Sequence, residues 1–514
     1  VLIGFYLWFV FVRKLHIKSN GKTYVQVVEK SYGKYKVLKS FGGSVLDSEI
    51  EFLVGLGRSW INEQQGSVEL DFDDHRRQVE RYLDGAESLR LVGLELTLGK
   101  IFDEIGFNRI ADPIFRNLVL YRLVYPRSKL KTTEYLQRYA DLNWDVDQVY
   151  RYMDKLQLSQ KQEVEQISYN HSVRVLGGNI SVVFYDVTTV YFEIEQEDEL
   201  RKPGFSKDGK HQHPQIVLGL LTGPQGYPLA YDIFEGNKFE GSTMLPVIES
   251  FRSRFNIAAL VIVADSGLLS KINLDTLESN GHQYVLGARI KNENKDIKEK
   301  ILALKLANGE CATIEKGHQR LIVSYSDKRA RKDAYNREKG MRKLQKLLQS
   351  GRLTKGHLNK RGYNKFLKMD GNIQVAIDEQ KCIEDARWDG IKGYLTNTTL
   401  STDEVMENYG HLWQIEKAFR IAKSDLKIRP VHHRLQRRIQ AHICLTFVAY
   451  KVYKELERKL IEMKAEFSPG KVIEIAQGIF EIKVKIPNTR ESLRKVLILS
   501  EEQKTLAALF GFGC

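Results

Sequence analysis

Several things are scarce in this chain of 514 residues. Cysteine occurs four times, as Cys311, Cys382, Cys444 and Cys514, and never in a C-x-x-C pair. That spacing excludes a disulfide framework and the usual zinc patterns, and it fits a reducing cytoplasm. A membrane helix needs roughly 20 apolar residues, and the N-terminal run VLIGFYLWFVFV stops after twelve. A secretory signal would carry basic residues before that run and a cleavage site after it, and neither is present. Because the chain starts with Val, residues 1–11 are expected to be a spurious or fragmentary extension, with the functional chain beginning near Phe11. No membrane partner is expected. Repeats and low-complexity tracts are missing. Gly204, Gly209 and Gly223 form no phosphate-binding loop, and Ser266 lacks the G-x-S-x-G surroundings of a nucleophile. His211 and His213 are not read as metal ligands. Acid is also in short supply: 65 Asp and Glu face 79 Lys and Arg, giving a net charge of +14. A surplus of that size points first to a polyanion, most often nucleic acid, with a basic enzyme lacking such a partner as the alternative.

What is present falls into distinct stretches. Residues 22–42 alternate apolar and polar about Ser31-Tyr32-Gly33, the pattern of a hairpin. Between 87 and 175 apolar residues recur at three and four, with basic residues on the other faces, so helices are predicted. From 180 to 290 strand-like runs alternate with a helix, predicting a mixed sheet in which AALVIVADSG lies parallel to the first strand, ISVVFYDVTTVYFE. Residues 290–385 hold short strands and a charged run. From Lys328 to Arg361 that run counts 13 Lys and Arg against Asp333 and Glu338, which is more one-sided than solvation of a helix face requires. Another strand is predicted at 388–398, then a helix capped by Ser401 and Glu404. A long amphipathic helix should follow Pro430, and a capped helix should end the chain.

Three acids stand out by position. Asp186 interrupts the apolar strand VVFYDVTTVYFE, where a carboxylate is costly unless a positive charge meets it. Asp265 ends the run ALVIVADSG, and Glu416 lies among Trp413, Ile415 and Phe419 on a helix, so it should face packed structure. Taken singly, Asp265 reads equally as a turn residue and Glu416 as an ion-pair partner of Arg420. Carboxylates converging from two neighbouring strands and a helix would call for a cation, and hard oxygen ligands suit Mg2+. Two such ions roughly 4 Å apart activate water and stabilise a leaving 3′ oxygen in phosphodiester chemistry. Thr188 and Thr189 are expected only to complete the strand. Tyr409, Leu412, Glu416 and Lys423 fall on one helical face, and residues 417–438 hold eight Lys and Arg against Asp425 alone. This strip suits a phosphate backbone, and Trp413 beside it could stack on an unpaired base or simply pack in the core.

These residues resemble a known family. YGHLWQIEKAFRIAK is similar to the Y-x2-R-x3-E-x6-K signature helix of DDE-type insertion-sequence transposases, matching it at Tyr409, Glu416 and Lys423. YDVTTVYFE resembles that family's first-Asp strand, VIVADSG its second, and GNKFEGST the G-N-x-x-(D/E) turn between them. The resemblance runs over roughly residues 11–514. It is nearest the subgroup with a long insertion between the second Asp and the Glu. Leu412 departs from it, standing where the signature has an Arg that contacts DNA phosphate, so either Lys417 or Arg420 substitutes or this subgroup handles the phosphate differently.

The resemblance implies an α/β fold: an RNase H-like mixed-sheet catalytic core interrupted by a mainly β insertion domain and preceded by a helical N-terminal DNA-binding region. The boundaries expected are a hairpin at 12–45, the helical region at 46–176 and the first part of the core at 177–290. The insertion then spans 291–385, the second part of the core with the signature helix 386–460, and a C-terminal region 461–514. It implies an enzyme that cleaves DNA at the element's terminal inverted repeats and transfers the strand to a target by a DDE two-metal mechanism. Asp186, Asp265 and Glu416 would be both catalytic residues and ligands to two Mg2+ ions, for which Mn2+ may substitute. Tyr409, Trp413, Arg420, Lys423, Lys427, Arg429, Arg434, Arg437 and Arg438 would contact double-stranded DNA. A homodimer holding two ends and a cytoplasmic, nucleoid-associated bacterial location complete the expectation. An inactive or domesticated DNA-binding protein, and an RNase H-like nuclease without strand transfer, stay open.

Overall fold

The computed structural model describes residues 9–513 apart from 18, 20, 66–73, 179, 195, 258–259, 269, 353–356, 358, 360–361, 371–373 and 487–488. Residues 1–8, Cys514, and Lys355, Lys360 and Arg361 at the end of the basic run lie outside the described residues. The chain divides into two units, residues 1–87 with 483–493 and residues 88–482 with 494–514.

The first unit is a three-stranded antiparallel sheet in the order β1 (Phe9–Ile17), β2 (Lys22–Ser31) and β3 (Lys34–Ser44). Tyr32 and Gly33 turn β2 into β3 at φ values of 47° and 79°; two positive φ values match the right-handed twist of the flanking strands. Helix α1 (Asp47–Gln65) packs on this sheet, over the buried Val25, Val27 and Val28, and α2 (Asp74–Asp84) follows. Phe9–Phe11 belong to β1, paired with Val28–Lys30, so these residues are part of the sheet rather than an appendage.

The chain passes to the second unit within β4 (Ala86–Leu91). Five helices follow: α3 (Lys100–Ile105), α4 (Pro113–Val124), α5 (Lys129–Ala140), α6 (Val146–Lys155) and α7 (Lys161–Val175). They pack around a helix from the far end of the sequence, α15 (Gln436–Glu462), whose Ile443, Leu445, Val448 and Val452 are buried among them. The helical stretch expected over 46–176 therefore does not stand apart: α1 and α2 fall in the first unit, and α3–α7 share one hydrophobic cluster with the sheet and α15.

That sheet has eight strands in the order β10-β11-β14-β9-β8-β5-β6-β7. They are β5 (Val182–Tyr191), β6 (Gln215–Thr222), β7 (Pro228–Glu235), β8 (Val261–Ala264), β9 (Gln283–Ala288), β10 (Cys311–Lys316), β11 (Gln319–Tyr325) and β14 (Ile391–Thr396). β5 is parallel to β8 and β8 to β9, and the other pairs are antiparallel. Helices α8 (Met244–Phe255) and α9 (Lys271–Ser279) provide the crossovers that parallel neighbours require.

The segment expected as a mainly β insertion differs from that expectation. Among the described residues it holds α10 (Lys295–Ala303), the long basic α11 (Asp327–Gln349) and α12 (Glu379–Ala386), with only a small hairpin of its own, β12 (Leu367–Asp370) and β13 (Gln374–Ile377). Its other strands, β10 and β11, extend the main sheet through β14. Beyond β14 come α13 (Thr402–Gly410) and α14 (Trp413–Ser424), then α15, α16 (Pro469–Ala476), β15 (Phe480–Lys485), β16 (Ser492–Leu497) and α17 (Glu501–Phe510). Among the described residues no helix is long and apolar enough to cross a membrane.

Candidate active site

Strand β5 is buried on both faces, as its near-continuous apolar run predicts. Val183, Tyr185 and Val187 face the cluster built with α8, while Phe184 and Val190 face the cluster that includes Tyr409, Leu412 and Ile415. By the period of two, Asp186 shares the face of Phe184, the one covered by α14. Register supplies its neighbour. Tyr185 of β5 lies opposite Ala264 of the parallel β8, so the next position on each strand brings Asp186 alongside Asp265.

The positive charge that Asp186 requires is a lysine. Lys207 Nζ lies 3.7 Å from Asp186 Oδ1 and 3.4 Å from Glu240 Oε1, and it donates a 2.6 Å hydrogen bond to the carbonyl of Val187. The loop carrying Lys207 is tied to β5, because Thr189 Oγ1 accepts from the Lys207 backbone N–H at 3.0 Å. Thr189 thus does more than complete the strand. Burial raises the Asp186 carboxyl from 3.8 to about 6; Lys207 and the Val187 N–H hold it down, and the nearby Glu240 and Asp265 push it up. One lysine does not fully offset the cost of placing this charge in the sheet.

Asp265 is more exposed and accepts a 3.0 Å hydrogen bond from the hydroxyl of Tyr409 on α13. Burial, followed by the negative Asp265, raises the Tyr409 hydroxyl far above the ordinary phenol range, so it stays a donor. The ring reaches this position across β9 at Gly287, where a Cβ would come within 2.5 Å of the Tyr409 hydroxyl oxygen. Lys392 of β14 lies 4.2 Å over the Tyr409 ring. Burial and the neighbouring Arg329 lower its pKa, while Asp265 and Glu416 favour its charge. Lys392 is the link that places Glu416 in the same field as Asp265.

The signature helix is broken. α13 ends at Gly410 and α14 starts at Trp413, so Tyr409 and Glu416 lie on successive helices rather than on one face of one helix. Leu412, between them, is 7 % exposed within the core; an apolar residue fits there where a charged one would need a partner. Glu416 does not face packed structure. Ile415, Ala418 and Phe419 take the buried face of α14 and leave Glu416 exposed, with no ion pair to Arg420 among the described residues. Asp186, Asp265 and Glu416 are acids of the type a hard divalent cation takes, and the raised Asp186 is a carboxylate short of positive charge. They are nevertheless not gathered as expected: among the described residues no group of three or more His, Cys, Asp or Glu converges on a metal position.

The residues read as DNA contacts divide. Tyr409 is buried on Asp265. Lys423 Nζ lies 3.2 Å from both oxygens of Asp208, and Arg429 lies 3.3 Å from the same carboxylate. Arg437 and Arg438 both pair with Asp154, at 2.9 and 3.0 Å. Arg420, Lys427 and Arg434 are exposed. Trp413 is 55 % exposed, which rules out simple core packing, and Lys417 lies 5.9 Å over its ring. Sequence reasoning missed Lys207, Glu240, Asp208 and Lys392. Glu240 alone carried a signal, as the acid of the GNKFE turn; nothing in SKDGK or GIKGY marks its lysine.

Comparison with known proteins accords with this geometry. The family described as Transposase DDE domain matches residues 177–451, more than half of the chain, and the chain belongs to that family. The matched stretch takes in Asp186, Asp265 and Glu416. No curated protein matches. Among solved structures, the cryo-EM structure of a piggyBac transposase synaptic complex with hairpin DNA aligns over 75 % of this chain and 76 % of that one, at 8 % identity and a TM-score of 0.37.

Proposed function

We propose that this protein is an insertion-sequence transposase that cleaves double-stranded DNA at the element's terminal inverted repeats and joins the freed end to a target. The observation that carries the reading is the register of β5 on β8, which sets Asp186 beside Asp265 on the sheet face that α14 covers. The strand order β7-β6-β5-β8-β9, with only the last two pairs parallel, supports an RNase H-like core. In hydrolysis a water oxygen bonds to phosphorus as the 3′ oxygen leaves and takes up a proton; in joining, that 3′ hydroxyl loses its proton and bonds to a target phosphorus as the target's own 3′ oxygen leaves and is protonated. A divalent cation, Mg2+ or Mn2+, would be held by the adjacent Asp186 and Asp265, with Glu416 as a further ligand once it converges on them, and would supply charge stabilisation at phosphorus. The chain's own groups prepare the site. Tyr409 orients Asp265, Thr189 and Val187 position Lys207, and Lys207 balances Asp186 and Glu240 until substrate arrives. Arg420, Lys427, Arg434 and Trp413 are the exposed members of the proposed DNA contact. Two ends must be held together, which calls for a homodimer.

The test is cleavage of a duplex bearing the element's own end, with Mg2+ present, by wild type and Asp186→Asn. Cutting by wild type alone supports the reading; equal cutting by both removes the site assignment. A second reading, DNA binding without cleavage, is favoured by the lack, among the described residues, of three side chains converged on a metal position and by Leu412. It gains if both proteins bind the end and neither cuts.

A further inference from the structure

Arg122, Lys129, His433 and His442 form a second charged cluster, to which none of the site carboxylates contributes. Arg122 lies in the last turn of α4, Lys129 opens α5, His442 lies on α15, and His433 precedes that helix. The first three are 5 %, 4 % and 6 % exposed. The two terminal nitrogens of Arg122 donate to the carbonyls of Arg127 at 3.2 Å and Lys427 at 2.6 Å, and the second also lies 3.2 Å from His442 Nε2. The same Nε2 lies 3.0 Å from the carbonyl of Ile428, which can only accept, so Nε2 carries the imidazole proton and Nδ1 is an acceptor. That Nδ1 is buried without a hydrogen-bond partner, as is Arg122 Nε.

The surroundings are cationic throughout. Burial, and then Arg122, hold the Lys129 ammonium well below the lysine range. His433, with its ring 5.5 Å from that of His442, is pushed down to about 3 by burial and then by Lys129, Arg122, Arg438 and His432. The charges acting on His442 are Arg122, Lys129 and His433. Arg438 is already held by Asp154. Lys129 has no ion pair among the described residues, and no carboxylate acts on any of the four. Burying an unpaired cation is among the costliest things a fold can do, and a methionine here would be cheaper.

We infer that this cluster is a binding site for one phosphate group, with Lys129 Nζ and Arg122 Nε as the donors left open for its oxygens. The same chemistry has two sources, a phosphodiester of bound DNA or free orthophosphate. The DNA source rests on the proposed function; the free anion does not.

The experiment uses the full chain, as wild type and Lys129→Met. Thermal unfolding is followed against sodium phosphate and against sodium chloride at matched ionic strength. Duplex binding is measured over a range of salt. A free anion raises the Tm of wild type by a few degrees in phosphate over chloride, and the rise is lost in Lys129→Met. A DNA phosphodiester instead weakens duplex binding by Lys129→Met about tenfold and lowers its salt slope by about one. If neither readout separates the two proteins, the inference is wrong and Lys129 is a packing residue. If wild type binds no duplex, the proposed function fails while the phosphate readout stands. Should Lys129→Met not fold, Arg122→Lys, which removes the open Nε–H, is read in the same two assays.

Discussion

Helix α11 and the strip from Lys417 to Arg438 both carry far more Lys and Arg than acid, and the fold treats them oppositely. In the strip, Lys417 pairs with Glu457, Lys423 and Arg429 with Asp208, and Arg437 and Arg438 with Asp154. None of those acids lies within the strip; each is brought from a distant loop or helix. On α11, Lys339, Lys343 and Lys346 are exposed and form no ion pair among the described residues, while Arg337 alone reaches out, to Asp389. A run of positive charge in sequence is therefore not the same thing as positive charge available to DNA. The carboxylates follow the first pattern, since Asp186 is met from within the chain by Lys207.

The largest effect expected is on chemistry. Asp186→Asn should lower end cleavage about 10³-fold, the several kcal/mol of charge stabilisation that phosphoryl transfer draws on, with duplex binding unchanged in a gel-shift assay. Next is the α11 face. Changing Lys339, Lys343 and Lys346 together to Gln should weaken duplex binding by about 10- to 100-fold and reduce its salt slope by about three. No change in slope would mean that α11 is only a solvated helix, and the contrast between the two regions would lose its functional meaning.

A third prediction concerns pH. The Asp186 pKa is raised in the folded state, from 3.8 to about 6, so the folded protein binds the extra proton between those values and loses stability as pH rises through them. The ionised group then costs up to ~3 kcal/mol. Asp186→Asn should accordingly be the more stable protein at pH 8 and lose that advantage below about pH 4, as read by urea unfolding. The smallest effect is at the strip. Lys417→Gln should cost about 1 kcal/mol of stability through Glu457 and leave the salt slope of DNA binding where it was. A fall in slope there would show that the strip's ion pairs open to DNA.

Much of the core was legible in the sequence because its signals are local. The strand carrying Asp186, the turn at Tyr32-Gly33 and the capping box at Ser401 and Glu404 depend on residues within a few positions of each other, and all appear in the structure. The misreadings share another origin. The apolar neighbours of Glu416 suggest a packed face, but adjacent helix positions are about 100° apart, and Ile415 takes the core. The insertion was expected to be mainly β, yet β10 and β11 complete a sheet begun more than a hundred residues earlier, which no local pattern announces.

By itself the sequence determined the strand that buries Asp186, the chain spacing of Tyr409, Glu416 and Lys423, and the family to which the chain belongs. Each follows from covalent spacing and periodicity. Only the tertiary structure decided that Asp186 lies beside Asp265, that Lys207 meets both Asp186 and Glu240, and that Asp208 and Asp154 each pair with two of the expected DNA contacts. Charge pairing depends on distance through space, falling off within a few ångströms of solvent, and that distance is fixed by packing between segments that the sequence keeps far apart.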